Sequence, residues 1–229
     1  MSVAHFDEIA DAYDDSLPAY VVEHYLQKRT DFIRANVPTG ASVLDIGCGT
    51  GALAARIRKA GYQVVGVDPS KGMLRVLKGR APSVDAVAAC GMTLPFADDR
   101  FDLVYCVAVM HHIAEVAGVL RTLREIVRVA KRGGLVLVWD HNPRNPYWRL
   151  LMARVPQDTG EERLIPEEEI LAGLRAGGAE PIRSQQLGFV PDFTPPRLLG
   201  LAARIERIAE RTPGLRRVCA HNVIMATKL

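Results

Sequence analysis

The run VLDIGCGTG at residues 43–51 constrains this chain more than any other segment. Apolar Val43 and Leu44 read as the end of a buried strand, Asp45 follows, and Gly47, Gly49 and Gly51 fall at every second position. Positions without side chains let a backbone turn sharply, approach a ligand closely and pass into a helix whose N-terminus is partly positive. Strand, glycine loop and helix in that order open a βα unit, so the rest of the chain must build a sheet around it. Short β-branched runs do alternate with amphipathic stretches from residue 41 to residue 140. This pattern predicts strands at 42–46, 63–67, 84–89, 101–107 and 135–140, with helices at 51–60, from Ser70 as N-cap to about 77, and at 115–130. A helix over 17–37 precedes them. A helix at 166–176 and strands at 181–189 and 218–227 follow, with an extra helix at 196–211 between those two strands. Its apolar stripe of Leu198, Leu199, Ala202, Ile205 and Ile208 reads as core contacts placed where they could also roof a pocket.

The second strand ends VVGVDPS, which sets Asp68 at its carboxyl end, the expected place for a carboxylate that grips ribose hydroxyls. Dinucleotide loops usually read GxGxxG, whereas this one is GxGxG with an acid two residues before it. A pyrophosphate has little use for Asp45, but the ammonium of a methionine moiety does. That difference favours S-adenosylmethionine over a nicotinamide cofactor.

With these residues in place, the chain resembles the class I S-adenosylmethionine-dependent methyltransferases, in particular the small-molecule branch of ubiquinone and menaquinone methyltransferases. Four blocks carry the likeness in order: VLDIGCGTG, VVGVDPS, TLPFADDRFDLVYCVAVMHHI and LREIVRVAKRGGLVLVWD. The resemblance implies an α/β fold, a doubly wound, mostly parallel seven-stranded sheet whose last strand is antiparallel, with helical cap elements. It implies one domain over 1–229: a helical cap at 1–39, a cofactor core at 40–142, an acceptor-side region at 143–217 and the final strand at 218–229. Carried over by position, Gly47, Cys48, Gly49 and Gly51 line the cofactor and Asp45 lies near its amino group. Asp68 binds the ribose with Pro69 beside it, Met73 flanks the adenine, and Val107 ends the strand facing the sulfonium. Tyr13, in the opening helix, closes over the cofactor. Relatives commonly carry an acid shortly before the LPF triplet, whereas this chain has Cys90 there, with Gly91 and Met92 next to it as adenine contacts.

His111 and His112 follow the fourth strand and His141 ends the fifth, which makes them the candidate proton acceptors. Adjacent residues at a strand end point to opposite sides, so one of His111 and His112 is expected to meet the pocket and the other to pack. A helix-entry signature without proton transfer accounts for that pair equally well. Asn142, Tyr20 and Trp148 are candidate acceptor contacts, and Tyr25 reads as an ordinary half-buried aromatic. Pro191, Phe193 and Leu198 are expected to shape the acceptor pocket.

The net charge of +3 is too small to call for a polyanionic partner, and no Lys/Arg tract suggests a nucleic-acid arm. The N-terminal stretch is acidic and the C-terminal one basic, which reads as solvated helix faces. None of the four cysteines forms a CxxC pair, so neither a metal site nor a disulfide framework is expected. Without an apolar signal core near the N-terminus or a membrane-length apolar run, a cytoplasmic protein acting on a small-molecule acceptor is expected. The alternatives are a methyltransferase acting on RNA or protein, an NAD-linked oxidoreductase and a non-catalytic cofactor-binding protein. O-, N- and C-methylation are not distinguished by these residues.

Overall fold

A computed structural model describes residues 3–158, 160 and 162–229. Seven strands form one sheet: β1 (Ser42–Ile46), β2 (Gln63–Asp68), β3 (Asp85–Ala88), β4 (Phe101–Val107), β5 (Ala130–His141), β6 (Ala179–Leu187) and β7 (His221–Lys228). Their order is β3-β2-β1-β4-β5-β7-β6, and only β7 runs antiparallel to its neighbours. The winding direction reverses between β1 and β4. In open α/β sheets that reversal opens a crevice beyond the carboxyl ends of the strands. The glycine loop after β1 and the histidine pair after β4 therefore stand on its two banks.

Helices α1 (Val3–Ile9), α2 (Ala19–Asn36), α3 (Ala52–Lys59), α4 (Lys71–Arg80), α5 (Val116–Val129), α6 (Tyr147–Met152), α7 (Glu167–Ala176), α8 (Leu199–Arg211) and α9 (Pro213–Arg216) surround the sheet. Strand alternation sends neighbouring side chains to opposite layers. Leu44, Val104, Val136 and Val138 pack with Val119, Leu123 and Ile126 of α5 and with Ile170 and Leu174 of α7. Val43, Leu103, Tyr105, Leu137 and Trp139 pack with Ile33 of α2, Ile57 of α3 and Leu77 of α4. Ser70 caps α4 as predicted, its Oγ accepting from Met73 N at 3.0 Å. Among the described residues, no helix is long and apolar enough to cross a membrane.

Helix α8 corrects the sequence reading. Its apolar stripe was expected to face the core, but Leu198, Ile205 and Ile208 are exposed and Leu199 and Ala202 only half-buried, while Glu206 is 1% exposed. The reason lies in partners that the stripe could not reveal. Glu206 accepts from Lys28 Nζ at 2.6 Å, bonds His24 Nε2 at 2.9 Å and accepts from Phe189 N at 2.7 Å. Burial works against its charge, yet His24 and Lys28 of α2 hold its carboxyl down at about 2. Satisfying that carboxylate turns the helix, because a buried unpaired charge costs more than an exposed leucine.

The acidic N-terminus is also more than a solvated face. Asp7 accepts from Ser70 Oγ at 2.6 Å and from Gly72 N at 2.7 Å, and Asp11 takes both bonds of Arg75 Nη2 at 2.8 Å. Asp14 pairs with Arg80 and accepts from Thr50 Oγ1 at 2.8 Å. Three acids thus clamp the N-terminal segment over the glycine loop and α4.

Candidate functional site

A cavity of about 530 Å³ runs from the glycine loop to the histidine pair. At the first end β1 delivers Asp45, and the chain turns at once: Gly47 N and Cys48 N both donate to Val67 O, at 2.7 and 3.0 Å. Gly47 has φ +67°, and a Cβ built there would stand 2.4 Å from Val109 Cγ2, so the loop and the turn after β4 touch only because this side chain is missing. Gly49 has φ +52° but open space where its Cβ would be. Glycine is therefore kept at 47 by the protein's own packing, and at 49 it leaves a cradle.

Asp45 is buried and accepts from Tyr105 Oη at 2.8 Å. Burial pushes its carboxyl up to about 7, against the Tyr105 hydrogen bond; Asp68 adds to the rise and Arg29 opposes it. Arg29, from α2, lines the same end of the cavity. Its Nε is buried without a hydrogen-bond partner, and its guanidinium lies 5.8 Å from the ring centres of Tyr25 and Trp139. Burial lowers its pKa from the ordinary value. An acid and a base thus share the loop end. Sequence reasoning passed over Arg29, although Val22, Tyr25, Leu26, Arg29 and Ile33 fall on one helical face and a charge on an apolar face was the signal.

Asp68 serves the loop rather than the cavity wall. Its Oδ2 accepts from Gly49 N and its Oδ1 from Ser70 N, both at 2.9 Å. Burial raises its pKa despite those bonds. Tyr13, Cys48, Gly49 and Val107 line the cavity, whereas Gly51, Pro69, Met73, Cys90, Gly91 and Met92 lie outside its lining. Gly51 packs under the loop against Leu77, Met73 is buried in α4, and Cys90 is exposed beyond β3.

At the second end Ala108 takes a left-handed φ of +57° and donates its N–H to Trp139 O at 2.8 Å, ending β4 abruptly. A 3-10 turn, Met110–His112, follows. Asp140, fully buried at the end of β5, organises this turn. Its Oδ2 accepts from Val109 N at 3.1 Å and Met110 N at 2.6 Å, while its Oδ1 accepts from His111 Nδ1 at 2.8 Å and His141 N at 2.7 Å. Burial disfavours the charge, yet His111 and His141 hold the carboxyl well below the usual range.

Both His111 and His112 line the cavity, which corrects the expectation that one would turn away. The strand rule fails because the pair sits on a 3-10 turn, where successive side chains diverge by about 120° instead of 180°. The three histidines are not alike. Burial works against charge on His111, but the carboxylates of Asp140 and Asp158 outweigh it and raise the pKa above 6.5. Burial and then the charge of His111 push His112 down to about 2 and His141 down to about 3. His141 Nδ1 lies 2.9 Å from His111 Nδ1, and its ring meets Trp148 edge-on at 3.5 Å between centroids.

The acceptor-side expectations divide. Trp148 and Pro191 line the cavity, and so does Tyr25, which the sequence marked only as a half-buried aromatic; its Oη donates to Val190 O at 2.9 Å. Asn142 does not. Its Nδ2 donates to Arg217 O and Cys219 O at 2.9 and 2.8 Å, fastening the chain before β7. Tyr20 donates to Thr194 O at 2.6 Å outside the lining, and Phe193 and Leu198 are exposed. Among the described residues, α8 contributes nothing to the lining; residues 189–192 form that wall. Asp158, from the segment after α6, joins the histidines and had no sequence signal.

Residues 44–138 match the family described as "Methyltransferase domain". The chain is 36% identical to the demethylmenaquinone methyltransferase of Paenarthrobacter aurescens (strain TC1), over 63% of this chain and 60% of that protein. It is 28% identical to the ubiquinone biosynthesis O-methyltransferase of Methylobacterium sp. (strain 4-46), over 77% of this chain and 80% of that one. The first alignment therefore spans less than two thirds of its relative's length. Among solved structures, a SAM-dependent methyltransferase from Thermotoga maritima, a possible histamine N-methyltransferase, superposes with a TM-score of 0.72 at 19% identity, over 99% of both chains. At that identity the likeness concerns the fold.

Proposed function

Because this chain belongs to the class I S-adenosylmethionine-dependent methyltransferases, we propose that it moves a methyl group from that cofactor to a quinol-type small molecule. The cavity that joins the glycine loop to the histidines carries this reading, since donor and acceptor must meet in one enclosed space. The residues present fit the cofactor. Its amino-acid end is a zwitterion, which calls for both an acid and a base, and Asp45 and Arg29 supply them at the loop end. The open space at Gly49 suits close approach by a ligand. When bound, S-adenosylmethionine supplies a methyl group already activated by a positively charged sulfur.

The chain's own residues then position, exclude water and handle one proton. Tyr13, Tyr25 and Trp148 give the cavity an apolar, aromatic wall suited to a ring-bearing acceptor. His111 is the group to take the acceptor's proton, at Nε2, because its Nδ1 hydrogen is committed to Asp140. The other two histidines bind protons too weakly for that role. The menaquinone and ubiquinone relatives supply the acceptor class, and the methylated atom is a hydroxyl oxygen or an acidic ring carbon. Incubating the protein with methyl-labelled cofactor and a panel of hydroxylated benzoquinols and naphthoquinols tests this. Label should pass to a quinol and not to bulk RNA or protein; transfer to RNA or protein alone would overturn the acceptor class.

Asp45 adds a pH dependence to cofactor binding. With its pKa raised to about 7, the carboxyl is partly protonated near neutrality. A ligand ammonium beside it stabilises the ionised form, so binding expels the proton. Affinity for S-adenosylhomocysteine should therefore fall as pH drops below 7, by up to about tenfold per unit. Calorimetry at pH 6 in buffers of different ionisation heat should register proton release. A flat affinity between pH 5.5 and 8 would remove Asp45 from the ammonium site.

A further inference from the structure

Three lone-pair atoms converge on one point of the cavity wall. His111 Nε2 lies 3.8 Å and His112 Nδ1 4.0 Å from the same oxygen, Asp158 Oδ1. Both separations exceed hydrogen-bond distance. His112 Nδ1 and Asp158 Oδ1 are buried with no hydrogen-bond partner, and the Asp158 side chain is 7% exposed. Folded proteins seldom leave such atoms unpaired without a functional reason or a bound ion. His111 bonds Asp140 through Nδ1 at 2.8 Å, which leaves Nε2 as the ring nitrogen facing Asp158.

A bound cation answers this arrangement. Nitrogen and oxygen donors sit about 2.0–2.2 Å from a zinc-like ion, so pairs of them stand roughly 3 to 4.4 Å apart. The three donor atoms here all lie within 4.8 Å of one another, so an adjustment of tenths of an ångström would seat an ion. A metal-bound imidazole characteristically gives its second nitrogen's hydrogen to a carboxylate, which fixes the ring. Asp140 does this for His111. The other cluster, His111, Asp140 and His141, is sealed by its own hydrogen bonds and has no such free donors.

We propose that His111, His112 and Asp158 bind a divalent first-row transition-metal ion whose remaining coordination positions open into the cavity. Two imidazoles and one carboxylate suit Zn²⁺, Co²⁺, Mn²⁺ or Fe²⁺ better than Ca²⁺ or Mg²⁺. The ion's catalytic part rests on the methyl-transfer reading: it would hold an acceptor oxygen and make that oxygen more acidic. His111 would then act through the ion rather than take the proton itself. No sequence spacing announces the site, because Asp158 lies far along the chain from the two histidines.

Chelator-stripped protein titrated with Co²⁺, without cofactor or acceptor, tests the site independently of turnover. One equivalent should bind with the visible ligand-field absorption of imidazole and carboxylate ligands, and Zn²⁺ should displace it. His112→Ala and Asp158→Asn should each weaken Co²⁺ binding by roughly a hundredfold while the thermal midpoint stays near that of the parent. No saturable one-to-one binding by the parent protein, or binding unchanged in both folded variants, would overturn the proposal. Its fate is separable from that of the functional reading. Co²⁺ binding without methyl transfer would sink only the latter, and full turnover by stripped protein that binds no Co²⁺ would sink only the metal site.

Discussion

Gly49→Asn is expected to abolish binding of S-adenosylhomocysteine while leaving the fold in place. Glycine at 49 has φ +52°, and asparagine is among the residues that enter the left-handed region most readily. A Cβ there meets nothing within 4 Å, so the side chain fits the ligand-free protein. The backbone bond from Gly49 N to Asp68 Oδ2 does not involve the side chain and can persist. The conformational cost is about 1 kcal/mol, or roughly 2–4 °C in thermal midpoint for a chain of this size. The new side chain, however, occupies the space that ligand backbone contact requires, and affinity should fall by a hundredfold or more, roughly 3 kcal/mol. Gly47→Ala makes the contrast, because its Cβ would stand 2.4 Å from Val109 and must shift the turn after β4. Calorimetry and a thermal melt on the two variants separate the roles. Normal ligand binding by Gly49→Asn would show that the cradle is not a binding surface.

The same glycine loop shows why some of this molecule was legible and some was not. Strand–loop–helix order is local, and period-two and helical spacings reflect burial of neighbours in sequence, so β1, β2, β4, α5 and the crevice between β1 and β4 could be read directly. Helix α8 could not. Its stripe was real, but its orientation is fixed by a carboxylate that finds partners on α2, and no pattern within the helix encodes Lys28 or His24. Asn142 failed for a related reason: its place at the end of β5 suggested a ligand contact, yet carbonyls near β7 claim its amide. Arg29 left a trace, a charge on an apolar face, whereas Asp158 left none. The acids at 7, 11 and 14 looked like a solvated face because their partners Ser70, Arg75 and Arg80 lie more than sixty residues on. What is missing from the sequence reading is thus mainly pairing across distant segments.

Asp140→Asn should cost both activity and stability, in a ratio that distinguishes a working group from a strut. The carboxylate collects four donors, and an amide can offer only one oxygen to them while its own hydrogens face other donors. Losing a fully buried, multiply bonded charge is expected to cost about 3 kcal/mol, or roughly 6–12 °C in midpoint. The pH dependence has a definite sign. The lowered pKa of Asp140 gives stability that is present above the usual carboxylate range and fades as pH falls below it. The raised pKa of His111 gives stability that is full below 6.5 and fades as pH rises through the folded value. The pair therefore stabilises most between about pH 4 and 6.5, and Asp140→Asn should flatten stability across that window. In chelator-treated enzyme, where the imidazole itself takes the proton, kcat/KM should rise with pH along a limb centred above 6.5. The variant should lose that limb to lower pH, since the charge that raised it is gone, and kcat/KM should fall roughly a thousandfold. Stability loss with an unmoved limb and unreduced kcat/KM would mean that Asp140 only braces the turn, and that another group takes the proton.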